Sequence, residues 1–330
     1  MAVSMADIQH LRKMTGAGMM DCKNALAEAE GNFDKAVEII RKKGQAVAAK
    51  RSDRETSEGC VLAKSTGDYA AMIALKCETD FVAKNADFVA LTQAILDAAI
   101  ANKCQTIDEI KALPMGNGTI QDAIVERSGI TGEKTELDGY FFVSGACTAV
   151  YNHQGKNQLC TIAAFNKACD TQVAHEICMQ IAAMNPIAID EAGVPESVKA
   201  AEIQVAIDKT KKEQVDKAVE AALKKAGFNL YIAENEEHLN EGIMKGNITE
   251  AQAEEIRQLK AKVAEEKAAN LNEQMIENIA KGRMGKFFKE VCLLKQESIM
   301  DPKKTIADVL KAADAELQIV DFKRFTLRAE

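Results

Sequence analysis

Tryptophan is absent from the 330 residues, and aromatic side chains make up only 5% of them. Alanine is abundant instead, so many of the internal interfaces are expected to be close helix contacts. No apolar run approaches the roughly 20 residues of a membrane span, and no basic segment followed by an apolar one opens the chain; the expected location is the cytoplasm. Positive charge is not in excess: 42 Lys and Arg against 50 Asp and Glu leave a net charge of −8. That balance argues against direct nucleic-acid binding of the broad, non-specific kind, which needs a basic surface to release phosphate counterions. Only four histidines occur, and the nine cysteines include no Cys-x-x-Cys pair and have no histidine at metal spacing. They read as small core residues, and neither a metal nor a cofactor is expected. Gly-Lys-Ser/Thr occurs nowhere, so no phosphate loop is present.

What is there is the composition of a globular protein, 47% hydrophobic and 28% charged, long enough for two or three domains. Residues 4 to 44 read as three short helices. Ser4 and Asp7 suit an N-terminal cap, with Ile8, Leu11 and Met14 on one helical face. Thr15-Gly16-Ala17-Gly18 forms a helix–helix turn, Gly31 a stop and Asn32 a new cap, and the Phe33, Val37, Ile40 stripe ends at Gly44. A polar linker follows from Ala48 to Glu58.

From Gly59 the pattern turns to strands, with Ser65-Thr66-Gly67-Asp68 as a hairpin turn before Tyr69 to Leu75. A long helix then carries Phe88, Leu91, Ile95 and Ala99 on one side. Strand-like Tyr140–Val143, Ala146–Tyr151 and Leu159–Phe165, and a helix from about Asp170 to Met184, repeat the plan and predict an internal duplication. After Val194-Pro195 two apolar seams, Val215, Val219, Ala222, Leu223 and Ile256, Leu259, Val263, predict an antiparallel helical hairpin; Thr249 and Gln252 cap its second arm. A helix from about Leu271 to Leu294, with Met275, Ile279, Phe287, Val291 and Leu294 near one face, is expected to bend at Gly282–Lys286 and return to the body. A terminal helix from Asp301-Pro302 through Leu317 and a strand-like Phe322–Phe325 complete the chain.

Between the strand ending at Leu75 and the helix starting near Asn85 lies Lys76-Cys77-Glu78-Thr79-Asp80-Phe81-Val82-Ala83-Lys84-Asn85. A strand-to-helix corner is a rigid place from which to project a side chain, though Phe81 and Val82 could equally turn into the core. The second copy carries Asn166-Lys167-Ala168-Cys169 at the same place, so the unshared first corner is the stronger candidate for function. A thiol enzyme using Cys77 with His153 or His175, and a scaffold using the hairpin and the small helical domain, stay open on the residues alone.

Leu11-Arg12 through Thr15-Gly16-Ala17-Gly18-Met19-Met20-Asp21-Cys22-Lys23, and Glu78 to Asn85, resemble the two signatures of the bacterial translation elongation factor Ts family. Ile181–Pro186 and Gly282-Arg283 with Lys286–Leu294 are similar to later family blocks. The resemblance spans nearly the whole chain and is weakest over 196–270. It implies an α+β fold: an N-terminal three-helix ubiquitin-associated-like domain (1–47), a linker (48–58), and a duplicated antiparallel-sheet/helix core (59–139, and 140–195 plus 271–299). An inserted antiparallel coiled-coil helical hairpin (196–270) and a C-terminal helical module (300–330) complete that plan. The implied activity is guanine nucleotide exchange on elongation factor Tu, in its GDP-bound and nucleotide-free states, without enzymatic turnover. By the same resemblance Thr79, Asp80, Phe81 and Val82 wedge against the partner's nucleotide domain and disturb its Mg²⁺ site. Leu11, Arg12, Met19 and Met20 are docking candidates, although the methionines could equally be core. The hairpin is a surface through which a homodimer could form.

Overall fold

The computed structural model describes residues 3–327. In chain order these form α1 (Met5–Thr15), α2 (Met19–Glu28), α3 (Phe33–Lys50), β1 (Glu58–Ser65), β2 (Tyr69–Cys77), α4 (Asp80–Ala83), α5 (Ala86–Ala101) and α6 (Ile107–Ala112). A two-residue ladder, β3 (Pro114–Met115) and β4 (Gly118–Thr119), precedes α7 (Ile120–Thr131), β5 (Glu136–Ser144), β6 (Cys147–Asn152), β7 (Leu159–Phe165) and α8 (Thr171–Met184). Five helices follow: α9 (Glu196–Lys225), α10 (Leu230–Ala233), α11 (Glu236–Met244), α12 (Glu250–Ala269) and α13 (Glu273–Val291). Helix α14 (Ile306–Ala313) and strand β8 (Ile319–Thr326) come last. Two compact units result, one of residues up to Ile189 together with those from Gln296, the other of Asp190–Lys295.

In the first unit, α1 starts where the Ser4 hydroxyl accepts the Asp7 amide while the Asp7 carboxylate accepts the Ser4 amide. Gly16, at φ 69°, ends it in a left-handed turn. Ile8, Leu11, Cys22, Leu26 and Ala36 form the small core of these three helices. Met14 does not share that face; Thr15 does, and Met14 points to solvent. Helix α3 also departs from the expectation that it stops at Gly44. It runs to Lys50, and Gly44 is buried against Gly129 of α7. It is Gly129 whose missing side chain lets the two backbones come together, since a Cβ there would meet the Gly44 backbone. The linker is shortened accordingly at its start.

Strands β1 and β2 form the expected hairpin, with Ser65 opposite Ala70. The third strand of their sheet is β5, which pairs Ile73 with Tyr140 and Ala71 with Phe142. Tyr140 therefore belongs to the first sheet, not to the start of the second copy, and its hydroxyl donates to Cys104 O at 2.6 Å. The second sheet takes its third strand from the chain's far end, β8 pairing with β7 through Ala163 and Phe322. Each sheet is thus a hairpin joined by one returning strand, in the orders β1-β2-β5 and β6-β7-β8. The two pack face to face through Val61, Met72, Val143, Cys160, Ile162 and Ala164. On the outer face of the first sheet lie Phe88, Ile95 and Leu96 of α5 with Ile110, Ile120 and Ile124. Helix α14 is capped by Thr305 and stops at Ala313, short of Leu317, where the extended Asp314 reaches forward to accept the Glu316 amide.

The second unit is built on α9. Toward its C-terminal end Val219 and Leu223 pack with Ala253 and Ile256 of α12, and along its length it meets α13, where Arg283 Nη2 lies 2.5 Å from Glu213 Oε2. The segment between α9 and α12 is more than a break: α10 and α11 close a small core of Leu223, Ala233, Leu239, Ala253 and Ile256. Helix α13 stays α-helical through Gly282–Lys286. Its buried line is Ile276, Ala280 and Met284, one residue around from part of the expected stripe, with Met275, Ile279, Phe287 and Val291 half-buried beside it. Because that line packs on α9, α13 falls in the unit Asp190–Lys295 rather than with the core residues 140–195.

Candidate functional site

Two N-caps six residues apart, Thr79 and Asn85, make the corner. Asn85 Oδ1 accepts the Asp87 and Phe88 amides and starts α5, leaving only one turn, α4, between the caps. Below that turn Cys77 and Ala83 are buried and Val82 packs on the core. Above it Phe81 is 85% exposed, against 0% for Phe88 one helix later. The corner thus presents an aromatic ring outward from a base that is itself part of the main core.

The polar side chains of the turn itself, Thr79, Asp80 and Lys84, are all paired. Lys84 Nζ donates to Asp80 Oδ2 at 2.6 Å, and this bond holds the Asp80 carboxyl below the usual range. The Thr79 hydroxyl accepts the Val82 amide, and both the hydroxyl and the amide of Thr79 donate to Glu133. Burial pushes the Glu78 carboxyl up, but the Lys134 amide and the Arg51 guanidinium outweigh it and the net shift is downward. Beside the turn is a cavity of about 560 Å³ bordered by Glu58, Asp80, Lys84, Lys156 and Asn157.

Arg51, Glu133 and Lys134 were not legible as parts of this corner. Glu133 lies 54 residues beyond Thr79, and nothing local in Thr131-Gly132-Glu133-Lys134 names its partner. The corresponding strand-to-helix corner, between β7 and α8, is different. Asn166 donates to Glu316 O and accepts the Gln318 amide, while Lys167 pairs with Asp314 at 2.7 Å. That corner is stitched to the end of the chain and projects no ring.

The thiol alternative fails on geometry. Cys77 Sγ donates to Thr79 O at 3.2 Å, and burial, followed by the charge of Glu133, pushes the thiol up to about 12. His153 and His175 both pack edge-on against Tyr151 of the second sheet. Neither histidine is brought to the sulfur, and the nearby charge is the carboxylate of Glu133, which disfavours the thiolate. Of the docking candidates, Leu11 is wholly buried within its own three-helix core and offers no surface, whereas Arg12, Met19 and Met20 are exposed.

A family model described as Elongation factor TS matches residues 78–329, from the first residue of this corner onward. Over 330 residues, and all of both chains, the sequence is 73% identical to the Elongation factor Ts of Phocaeicola vulgatus. It is 70% identical to that of Bacteroides thetaiotaomicron over the same full length, and 44% identical over 331 residues to that of Porphyromonas gingivalis. The chain belongs to the elongation factor Ts family. Elongation factor Ts relatives cover the three N-terminal helices as well, which the family model leaves outside its range. Among the described residues no helix is long and apolar enough to cross a membrane.

Proposed function

We propose that this chain is the nucleotide exchange factor of its cognate elongation factor Tu and that Phe81 is the group that opens the partner's nucleotide site. The family is that of exchange factors, not of enzymes that turn over a substrate. The observation that carries the assignment is the exposure of Phe81 on a turn whose neighbours, Val82 and Ala83, are anchored in the core. A large ring in water has gained nothing by folding, so its apolar surface is available to a partner.

GDP and Mg²⁺ are held in a guanine-nucleotide pocket by backbone amides, a lysine and a few metal contacts. A ring inserted beside that pocket displaces those groups without forming or breaking a covalent bond. Asp80, tethered to Lys84, supplies the polar displacement, while Thr79 and Val82 position the turn. By linkage, whatever affinity for nucleotide the factor removes, nucleotide removes from the factor, commonly about 1–3 kcal/mol. The three N-terminal helices act as the family's ubiquitin-associated-like docking domain and offer Arg12, Met19 and Met20 to the partner's GTPase domain. Residues 196–270 are the coiled-coil hairpin.

The deciding measurement is release of a fluorescent GDP from elongation factor Tu. The full-length chain should accelerate it, and Phe81→Ala should slow the accelerated release by about tenfold or more, the scale of one buried aromatic at an interface. An unchanged rate would remove Phe81 from the mechanism. Binding that ignores nucleotide state would point to a scaffold instead.

A further inference from the structure

With Phe81 85% exposed, its ring is not held by packing within its own unit. Its direction is set by the backbone of α4, and a four-residue helix has no stability of its own. Two anchors hold the turn: Val82 and Ala83 in the core below, and the Thr79 cap at its start. The cap bond itself is long, 3.4 Å from Val82 N to Thr79 Oγ1. The bonds on the other side of Thr79 are shorter. Its hydroxyl donates to Glu133 Oε1 at 2.6 Å and its amide to Glu133 Oε2 at 3.0 Å. One carboxylate thus receives both donors of the cap residue, fixing its rotamer and its backbone together. Bonds to an ionised acceptor are roughly twice as strong as neutral ones. Glu133 is placed in turn by Gly132, the left-handed residue that terminates α7 at φ 71°.

We propose that Glu133 is a positioning residue for nucleotide exchange. It acts through Thr79, setting the direction in which α4 presents Phe81, and it makes no contact of its own with the partner. This rests on the reading of Phe81 as the wedge, and it extends the functional corner to a residue outside the stretch from Glu78 to Asn85.

The test titrates full-length variants against elongation factor Tu loaded with fluorescent GDP, so that the maximal release rate and the half-saturating concentration are read separately. Glu133→Ala should lower the maximal rate by about tenfold, the scale of a hydrogen-bond pair to a charged group, with half-saturation held within about twofold. Glu133→Gln retains one acceptor oxygen and should lose about threefold. Thr79→Val keeps the amide bond to Glu133 but loses the hydroxyl bond and the cap, so it should also lower the maximal rate, and the two changes together should be clearly less than additive. In a Phe81→Ala background Glu133→Ala should change nothing further. A 4-fluorophenylalanine placed at position 81 should give a single fluorine resonance that broadens or splits in Glu133→Ala, with the thermal unfolding curve retained. If Glu133→Ala lowers the melting temperature, Glu133→Gln in the same assay decides. A wild-type rate for Glu133→Ala beside a slow Phe81→Ala overturns the positioning role and leaves the wedge standing. Additive losses for Thr79→Val and Glu133→Ala, or a raised half-saturating concentration, would make Glu133 a direct partner contact and also overturn it. A wild-type rate for Phe81→Ala removes the wedge itself.

Discussion

Arg51 Nη1 lies 2.8 and 3.1 Å from the two carboxylate oxygens of Glu78, so the residue that ends α3 is tied to the residue that begins the exposed corner. The same carboxylate accepts the Lys134 amide at 2.6 Å. Removing either side of the pair should therefore have unequal effects. Arg51→Ala loses a partly exposed ion pair and should cost under about 1 kcal/mol. Glu78→Ala also strands the Lys134 amide and should cost about 1–3 kcal/mol. Urea unfolding of the two variants checks this; equal effects would mean that the backbone bond contributes nothing. The downward shift of the Glu78 carboxyl also has a pH consequence. The folded state binds that proton less readily than the unfolded one, so its contribution is present above the ordinary value of 4.5 and is lost as the pH falls below it.

Phe81 and Phe88 are the same residue type seven positions apart, in opposite environments. Phe81→Ala should leave stability within about 0.5 kcal/mol of the parent, as expected for an exposed position. Phe88→Ala empties the space between α5 and the first sheet and should cost about 3–5 kcal/mol. Thermal or urea unfolding of both variants gives the comparison. A marked loss for Phe81→Ala would show that the ring has a structural role in its own unit.

The two glycines at the crossing of α3 and α7 should respond asymmetrically. A methyl group on Gly44 meets Gly129 Cα at 3.6 Å, an ordinary contact, so Gly44→Ala should be tolerated and gain up to about 1 kcal/mol of helix propensity. A methyl group on Gly129 would overlap the Gly44 backbone, and Gly129→Ala should cost about 1–3 kcal/mol and loosen the N-terminal helices. Limited proteolysis between Lys50 and Glu58 reports that loosening. Equal protection in the two variants would count against the close crossing.

Burial pushes the Cys60 thiol up to about 11 and the Cys160 and Cys178 thiols up to about 12; Cys77, at about 12, has the charge of Glu133 added to burial. Tyr140 is shifted in the same direction, chiefly by burial. In each case the unfolded chain loses its proton first as pH rises. Their contribution is complete below about pH 9 and is lost between there and the folded values. The urea midpoint should therefore fall as pH rises above 9. At neutral pH a disulfide reagent should leave the buried thiols unreacted until the chain unfolds. Rapid labelling of Cys77 in the folded protein would contradict its burial.

The sequence by itself determined what is decided over a few neighbouring residues. Ser4, Asn32 and Thr249 cap helices where their local sequence says, and Ser65–Asp68 turns a hairpin. The apolar seams of α9 and α12 and the strand-to-helix corner before Asn85 were legible for the same reason, since turns and helical periodicity act within one or two turns of chain. Tertiary structure alone decided which strand completes each sheet, why α3 passes through Gly44, which helix α13 packs on, and that Leu11 is enclosed while Phe81 is not. Partners such as Tyr140 with Ile73, Phe322 with Ala163 and Glu133 with Thr79 are far apart in the chain. Their pairing follows from which apolar faces can be buried together and which polar groups must then be satisfied, and that is a property of the whole packed chain.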